Sequence, residues 1–443
     1  MKNKAQFTDR MKMILSRLIP VVLLIILICP LNIKANTGDS DDYQLKEIVV
    51  LSRHNIRAPL SVKGSVLDSA TPHTWFDWSG NASELSLRGG MLETAMGQYF
   101  RKWMENKGLI PENFRPQEDE VRFYANAKQR TIATANYFAA GFLPVADIDV
   151  LTKQEYDKMD PVFNPQLTFV SEKYNADAIA QMKTKLPDLS EEYKLLKEVL
   201  DFEESEGYKD GSVADLVNGD TQFVMELNAE PGLTGSLKTG TSLSDALVLQ
   251  FYEEEDTNKA AFGHDLTIEQ WKTISSIKDT FIDVLYTTPL VSVNIAHPLL
   301  KEIRSELKNE GRLFSFLCGH DSNIASVMGA LGVKDFAAPS SIESKTPIGS
   351  KLVFEKLEKD DEEYIRMSLV YNSYDQLRDI SLLSDENPPQ QYYLEIEGLE
   401  AAGQGVYRAA DFYSLLNEKI DAYDQLVRKY GDGDNVLPKT GIE

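Results

Sequence analysis

Cysteine and histidine are scarce in this chain, which has two of the former and five of the latter in 443 residues. Cys29 lies within the first 35 residues, which are described below as a predicted signal peptide. Once that segment is removed, Cys318 is the one cysteine left and can form no internal disulfide. The histidines and cysteines show no close spacing of the kind that binds zinc. The sequence also lacks a P-loop, a GxGxxG motif after a strand and a GxSxG motif. We therefore predict chemistry without a metal or a cofactor, and a fold that its hydrophobic core stabilises.

Basic residues are few as well. The chain has 46 Lys and Arg against 69 Asp and Glu, a net charge of -23. Because nucleic-acid binding depends on Lys and Arg displacing counterions from phosphates, DNA and RNA are excluded as expected partners. The hydrophobic fraction of 42% and the charged fraction of 26% are typical of a globular protein.

The first 35 residues have the pattern of a signal peptide. Basic residues precede an apolar run at Leu18–Leu31, which is shorter than the roughly 20 residues of a membrane-spanning helix. Ala35 offers a cleavage site. We predict a periplasmic or secreted protein with no stable membrane association after cleavage. The alternatives are an uncleaved anchor, or a lipoprotein at Cys29, although Ile28 stands where a lipid-attachment motif has a small residue.

Removal of these 35 residues makes the chain more acidic. They contain six basic residues and one acidic residue, so the remaining chain has a net charge of -28.

The other end of the chain carries LPKTG at 437–441, which matches a cell-wall sorting motif. Since only Ile442 and Glu443 follow it, we interpret the match as a coincidence.

Two kinds of hydrophobic pattern alternate in the chain. Apolar, β-branched runs predict strands at 45–52, 121–125, 313–318, 351–357 and 364–371. Amphipathic segments predict helices at 88–107, 128–140 and 291–307. Between about 151 and 276 the composition shifts to Lys, Glu and Leu, which favours helices.

This alternation predicts an α/β fold: a mostly parallel central sheet flanked by helices, with an inserted α-helical cap domain. The predicted divisions are a signal peptide at 1–35, a first part of the α/β core at 36–145, a cap at 146–284, a second part of the core at 285–430, and a polar C-terminal tail at 431–443. Residues 146–284 are called the cap segment below.

The first predicted strand is followed by the motif RHNIRAP at 53–59. Ligands of open α/β sheets bind beyond the carboxyl ends of the strands, where this motif would lie. Arg53 and Arg57 flank His54, and guanidinium groups match phosphate oxygens in pairs of hydrogen bonds. The pattern indicates a phosphoryl-binding site. The alternative is that both arginines form surface ion pairs while His54 is merely buried.

A second motif, CGHDSN at 318–323, follows another apolar strand and precedes a helical pattern. His320 would lie at a helix N-terminus, where backbone N–H groups favour an anion, and Asp321 is suited to proton transfer. Arg130 begins the helix after the 121–125 strand and fits the same site; otherwise it would be an exposed helix residue.

The remaining histidines lack this context. Gly263-His264-Asp265 repeats the tripeptide GHD, but no strand precedes it, and we interpret Asp265 as a helix N-cap. His73 and His297 have neither an apolar strand before them nor a charged neighbour, so we predict structural roles for them.

These motifs resemble the histidine acid phosphatase family, the branch that contains bacterial periplasmic phytases and glucose-1-phosphatases. RHNIRAP is similar to the family's RHGxRxP with Asn55 in place of Gly, and His320-Asp321 is similar to its HD signature. Asn55, together with Leu60, is closer to the glucose-1-phosphatase subgroup. Further matching stretches, such as YANAKQRTIATA and TPIGSKLVFEK, extend the resemblance from about Tyr43 to Leu416.

The resemblance implies a two-step hydrolysis of a phosphomonoester. His54 would attack phosphorus and form a phosphohistidine, while Asp321 would protonate the leaving alcohol and then activate water. The phosphoryl oxygens would be held by Arg53, Arg57, Arg130 and His320. Glu230, from the cap segment, would face the sugar hydroxyls. The family's disulfides are absent here.

The sequence therefore favours an exported phosphomonoesterase that acts on small sugar phosphates such as glucose 1-phosphate. One alternative is a phytase-like enzyme, although a substrate with six phosphates would require more Lys and Arg. Another is a phosphate-binding protein without turnover, although such a protein has no need of both His54 and Asp321. The oligomeric state is not indicated.

Overall fold

A computed structural model describes residues 42–60, 64–431 and 435–437 of the chain. The predicted signal peptide, Cys29 and residues 438–441 of the LPKTG motif lie outside the described residues. Within those ranges, no helix combines the length and the apolar character that crossing a membrane requires.

The secondary structure follows the predicted alternation. The strands are β1 (Gln44–Arg53), β2 (Val121–Ala125), β3 (Val150–Leu151), β4 (Gln222–Val224), β5 (Gly232–Thr234), β6 (Phe314–Gly319), β7 (Lys351–Lys359), β8 (Glu362–Tyr371), β9 (Gln390–Tyr393) and β10 (Val406–Arg408). The helices are α1 (Val66–Ser69), α2 (Leu87–Asn106), α3 (Gln129–Phe142), α4 (Glu172–Thr184), α5 (Ser190–Val199), α6 (Glu206–Asp210), α7 (Ser236–Glu253), α8 (Thr257–Ala260), α9 (Ile268–Tyr286), α10 (Pro289–Leu307), α11 (Asp321–Leu331), α12 (Tyr374–Asp379) and α13 (Ala409–Tyr430).

The main sheet has the strand order β10-β8-β7-β1-β6-β2-β3, and β9 also pairs with β8. Strands β1, β6, β2 and β3 pair in parallel, whereas β7 to β10 pair antiparallel. The predicted α/β fold class is confirmed, and the sheet is mixed. The antiparallel part arises because β7 and β8 form a hairpin whose turn residues, Asp360 and Asp361, have φ angles of 52° and 62°.

Strand β1 is buried on both faces. Ile48 and Val50 belong to one hydrophobic cluster with side chains of α2 and α3. Val49 and Leu51 belong to another with side chains of α10, α11 and α13. A strand that is covered on both faces reads as a continuous apolar run, which is why β1 could be predicted from its sequence.

Helix α2 confirms the predicted four-residue periodicity. The repeating apolar residues are fully or almost fully buried; they are Leu92, Met96, Phe100 and Met104. The helix begins after Ser86, whose hydroxyl accepts a hydrogen bond from the N–H of Gly89. Burial of this apolar stripe fixes α2 beside the sheet.

The cap segment contains α4 to α9 and the small antiparallel sheet β4–β5. Its predicted boundaries stay a prediction, and β3, which falls inside them, pairs with β2 in the main sheet. The prediction that Asp265 is a helix N-cap is wrong. Thr267 caps α9 instead, in a reciprocal capping box with Gln270, because Gln is present at the third helical position to return the hydrogen bond.

Candidate functional site

The two predicted motifs meet at the carboxyl ends of neighbouring parallel strands. Arg53, the last residue of β1, is in register with Gly319, the last residue of β6. The N–H of His54 donates a hydrogen bond to the carbonyl of Gly319, at 3.1 Å. His320 is the N-cap residue of α11, which starts at Asp321. Strand pairing therefore brings together residues that lie more than 260 positions apart in the sequence.

Both arginines of the first motif are buried and paired. Arg53 Nη2 lies 3.2 Å from Asp321 Oδ2, so an ion pair joins the two motifs. Its Nη1 donates to the carbonyl of Thr346 and lies 3.5 Å from Glu343 Oε1. Arg57 Nη2 lies 2.9 Å from Asp245 Oδ2. The alternative of surface ion pairs is wrong, because Arg53 is 2% and Arg57 is 4% exposed.

His54 is held as a neutral ring with one free nitrogen. Its Nδ1 lies 2.9 Å from the carbonyl oxygen of Asn55, and an acceptor there keeps the proton on Nδ1. Nε2 is then the nitrogen that carries a lone pair. Burial lowers the pKa of His54 well below 6.5, and the neighbouring guanidinium groups of Arg130 and Arg57 lower it further.

His320 faces His54, with ring centroids 5.5 Å apart. Asn126 Nδ2 lies 2.7 Å from His320 Nε2, and the N–H of Asp160 donates to Asn126 Oδ1, which fixes the orientation of that amide. The His320 proton is therefore on Nδ1. Burial lowers the pKa of His320 well below 6.5, and Arg130 adds to the shift.

Arg130 completes the group of buried cations. Its Nη2 lies 3.4 Å from His320 Nδ1, so two donors converge with no acceptor between them, and its buried Nε also lacks a hydrogen-bond partner. Burial, followed by repulsion from Arg57, lowers the pKa of Arg130 to about 10. An anion placed here would satisfy donors that the protein leaves unpaired.

Lys278 and Asp245 are members of the site that the sequence did not reveal. Lys278 Nζ lies 3.2 Å from Asp321 Oδ2 and 2.5 Å from Asp245 Oδ1. Burial alone would raise the pKa of Asp321, but Lys278 and Arg53 outweigh it and hold that pKa well below its usual value. Both new residues lie inside amphipathic helices of the cap segment, without a motif around them, so no sequence signal distinguishes them from ordinary helix residues.

A cavity of about 250 Å³ opens above these groups. It is lined by His54, Arg57, Pro59, Leu60, Arg130, Met159, Glu230, Lys238, Thr241, Ser242, Asp245, Lys278, Phe281, Ile282, Tyr286, His320, Asp321 and Ser322. Glu230 Oε2 accepts a hydrogen bond from the hydroxyl of Tyr286 at 2.9 Å. Burial raises the pKa of Glu230. The cap segment thus supplies a wall of both polar and apolar side chains to a cavity that has cations at its floor.

Two of the other three histidines have partners elsewhere. His73 pairs with Asp201 at 2.8 Å and stacks on Phe262, and the ring of His297 stacks on Tyr423.

Among the described residues, no group of three or more His, Cys, Asp and Glu side chains is arranged to hold a metal ion. Cys318 is a buried free thiol, and burial raises its pKa.

Comparisons with known proteins agree on one family for this chain. The sequence profile of the histidine phosphatase superfamily (branch 2) matches residues 44–370. The glucose-1-phosphatase of Providencia rettgeri is 36% identical over 396 residues, which cover 87% of this chain and 94% of that protein. The glucose-1-phosphatase of Salmonella typhimurium is 37% identical over 384 residues, covering 85% and 93%. Among solved structures, the phytase from Citrobacter braakii superposes with a TM-score of 0.76 at 27% identity, over 85% of this chain and 97% of that one.

We expect the imidazole C2–H signals of His54 and His320 to stay constant between about pH 8 and about pH 5.5, because both rings remain neutral. Proton NMR measures this, and His54→Ala and His320→Ala assign the two signals. The same protein unfolded in urea is the control, since its histidines should titrate near about 6.5. A titration of either signal in the folded protein with a midpoint near that value would contradict the assignment.

Proposed function

The chain belongs to branch 2 of the histidine phosphatase superfamily, and we propose that it hydrolyses small sugar phosphates of the glucose 1-phosphate type through a phosphohistidine intermediate. Membership of this family and the similarity to glucose-1-phosphatases identify the chain as a phosphomonoesterase. The observation that supports the proposed mechanism best is the convergence of His54, Asp321 and the unpaired donors of Arg130 and His320 on one cavity.

In the first step, His54 Nε2 attacks phosphorus and the bond from phosphorus to the ester oxygen breaks. Splitting the reaction through a covalent intermediate lowers each barrier. The negative charge on the phosphoryl oxygens is stabilised by Arg53, Arg57, Arg130 and His320. Because these donors are already oriented and shielded from water, they need little reorganisation as the transition state forms.

Asp321 supplies the proton that the leaving alkoxide needs. In the free protein, Lys278 and Arg53 keep this carboxyl ionised. A bound phosphoryl group brings negative charge beside the same two cations, which offsets their effect and raises the pKa of Asp321. The carboxyl can then take up a proton and donate it to the ester oxygen.

In the second step, Asp321 accepts a proton from water, and the water oxygen attacks phosphorus. The bond from phosphorus to His54 Nε2 breaks, phosphate leaves, and the imidazole returns to its starting state. Through both steps the Asn55 carbonyl retains the proton on Nδ1. His320 donates its Nδ1 proton in a hydrogen bond without giving it up.

The size and charge of the cavity favour a small substrate with one phosphate. Its volume of about 250 Å³ is below the range of roughly 300–1,000 Å³ found for pockets that hold drug-sized ligands. Asp245 pairs with both Arg57 and Lys278 and offsets one of their two charges. Of the other lining cations in the described part of the chain, Arg130 is assigned to the first phosphoryl group, so that Lys238 remains for a second. Glu230 and Tyr286 would bind the sugar hydroxyls.

We also propose that the enzyme is exported to the periplasm or the medium. The basic residues and apolar run within 1–35 support this, and the match to the family profile begins after them, at residue 44.

The covalent intermediate can be trapped. Brief incubation with substrate labelled in the phosphoryl group, followed by an alkaline quench that preserves phosphohistidine, should leave label on the wild-type protein. His54→Ala should carry none and should lose activity by about 10⁴-fold or more. Unchanged activity in His54→Ala would overturn the mechanism.

Asp321→Asn separates the proton donor from the phosphoryl-binding groups. The variant should lose about 10²- to 10⁴-fold in kcat with alkyl phosphates, whose alkoxides need a proton. It should lose much less in the rate of phosphoenzyme formation from 4-nitrophenyl phosphate, because 4-nitrophenolate leaves without one. Equal losses with both substrates would contradict the role of Asp321.

Substrate preference separates the sugar-phosphate and phytase hypotheses. We expect kcat/KM for glucose 1-phosphate to exceed that for phytate by about 10-fold or more at mildly acid pH, because Lys238 is the one lining cation among the described residues that remains for additional phosphates. Phosphate release from both substrates by purified protein measures the ratio. A strong preference for phytate would reject the sugar-phosphate assignment.

Export can be tested by N-terminal sequencing of protein recovered from the periplasm and the medium of a bacterial host. Cleavage after Ala35 is the expected result. Full-length protein retained in the membrane fraction would instead support the uncleaved anchor.

A further inference from the structure

A fully buried ion pair lies behind the loop that carries His54. Glu93 of α2 and Lys351 of β7 approach to 2.8 Å, and neither side chain is exposed to solvent. Neither residue lines the cavity, and the chemistry proposed above gives neither of them a part. A buried ion pair contributes little stability compared with apolar side chains of similar size, because removing two charges from water offsets their attraction. Its presence at this point therefore has to be explained by something other than stability.

Asn55 connects this pair to His54. Its Nδ2 donates to Glu93 Oε1 at 2.7 Å, and its Oδ1 accepts from the N–H of Ile56 at 2.8 Å. Its carbonyl oxygen contacts His54 Nδ1 at 2.9 Å. Hydrogen bonds thus link Lys351 to Glu93 and Glu93 to the side chain of Asn55, and the backbone carbonyl of the same Asn55 contacts the imidazole of His54.

The turn before β7 holds the same loop from the other side. Lys351 Nζ donates to the carbonyl of Gly349 at 2.6 Å, and the N–H of Gly349 donates to the carbonyl of His54 at 3.3 Å. Gly349 has a φ of +69°, and a Cβ atom there would collide with Nδ2 of Asn55. This close contact holds the Asn55 side chain against Glu93.

We propose that Glu93 and Lys351 are positioning residues for the nucleophile, which act through Asn55 to fix the direction of His54 Nε2. The inference rests on the proposed function, since it requires His54 to be phosphorylated. The two charges have distinct parts. Glu93 supplies the acceptor that orients the Asn55 amide, through Oε1. Lys351 pairs with the same oxygen and binds the turn at Gly349, while the buried Oε2 of Glu93 has no hydrogen-bond partner among the described residues.

Two double variants test this proposal. They differ only in whether residue 93 offers an oxygen to the Asn55 amide. Glu93→Leu/Lys351→Met replaces the pair with apolar side chains of similar size and leaves Nδ2 of Asn55 without the Glu93 acceptor. We expect kcat to fall by about 10- to 100-fold with little change in KM, because misplacing a reacting atom by about 1 Å costs this much. Glu93→Gln/Lys351→Met retains an amide oxygen for Asn55 and loses the contact of Lys351 with the turn, so its kcat should lie below that of the wild type but exceed that of Glu93→Leu/Lys351→Met by about fivefold or more.

Asn55→Ala tests the same connection without altering the ion pair. Its kcat should fall as far as that of Glu93→Leu/Lys351→Met, and the combined triple variant should lose no more than either, because both changes break one series of bonds. Phosphohistidine formation measured in a single turnover should slow in parallel. Wild-type kcat in Asn55→Ala, or fully additive losses in the triple variant, would overturn the proposal.

The matched control is Glu355→Leu/Arg366→Met, which removes another buried ion pair, between β7 and β8, away from the His54 loop. Its kcat should stay within about twofold of the wild type, and urea unfolding of every variant reports its stability. Failure of the wild type to form phosphohistidine would refute the proposed function itself. A labelled wild type together with a fully active Glu93→Leu/Lys351→Met would refute only the positioning role.

Discussion

The parallel pairing of β1 with β6 is the constraint on which the site depends. Its register ends both strands at the same level, so that the N–H of His54 bonds to the last carbonyl of β6 and Arg53 reaches Asp321. Helix α11 then begins at the point where the phosphoryl group is proposed to bind, with its N-terminal N–H groups directed toward that point. A slip of one residue in this pairing would turn alternate side chains to the opposite face of the sheet and separate the two motifs.

Burial sets the protonation states that the proposed chemistry needs. Both histidines are kept neutral by desolvation and by adjacent guanidinium groups, whereas Lys278 and Arg53 keep Asp321 ionised. The protein limits the cost of burying so many cations by pairing several of them with Asp245 and Glu343. What remains unpaired, at Arg130 and His320, is matched to one phosphoryl group. This explains how a chain with a net charge of -23 can hold a strongly cationic pocket.

The sequence predicted the parts of this arrangement that have a local pattern. Strand β1 could be recognised because it is apolar throughout, α2 because its apolar residues repeat every four positions, and the two motifs because each follows a strand. Lys278 and Asp245 could not be recognised, because they reach the site only through the packing of α7 and α9 against each other and against neighbouring helices. The antiparallel edge was missed because it depends on a turn at Asp360 and Asp361, whose left-handed backbone the sequence only weakly indicates. Glu93 and Lys351 could not be recognised as an ion pair from the sequence, because they come into contact only in the folded structure.

The most direct test of the central claim is a crystal structure of the protein with orthovanadate, which adopts the geometry of a phosphoryl group in transfer. We predict a bond between vanadium and His54 Nε2, equatorial oxygens that contact Arg53, Arg130 and His320, and an apical oxygen directed toward Asp321. Vanadate bound to His320, or bound in this cavity without a bond to His54, would contradict the account.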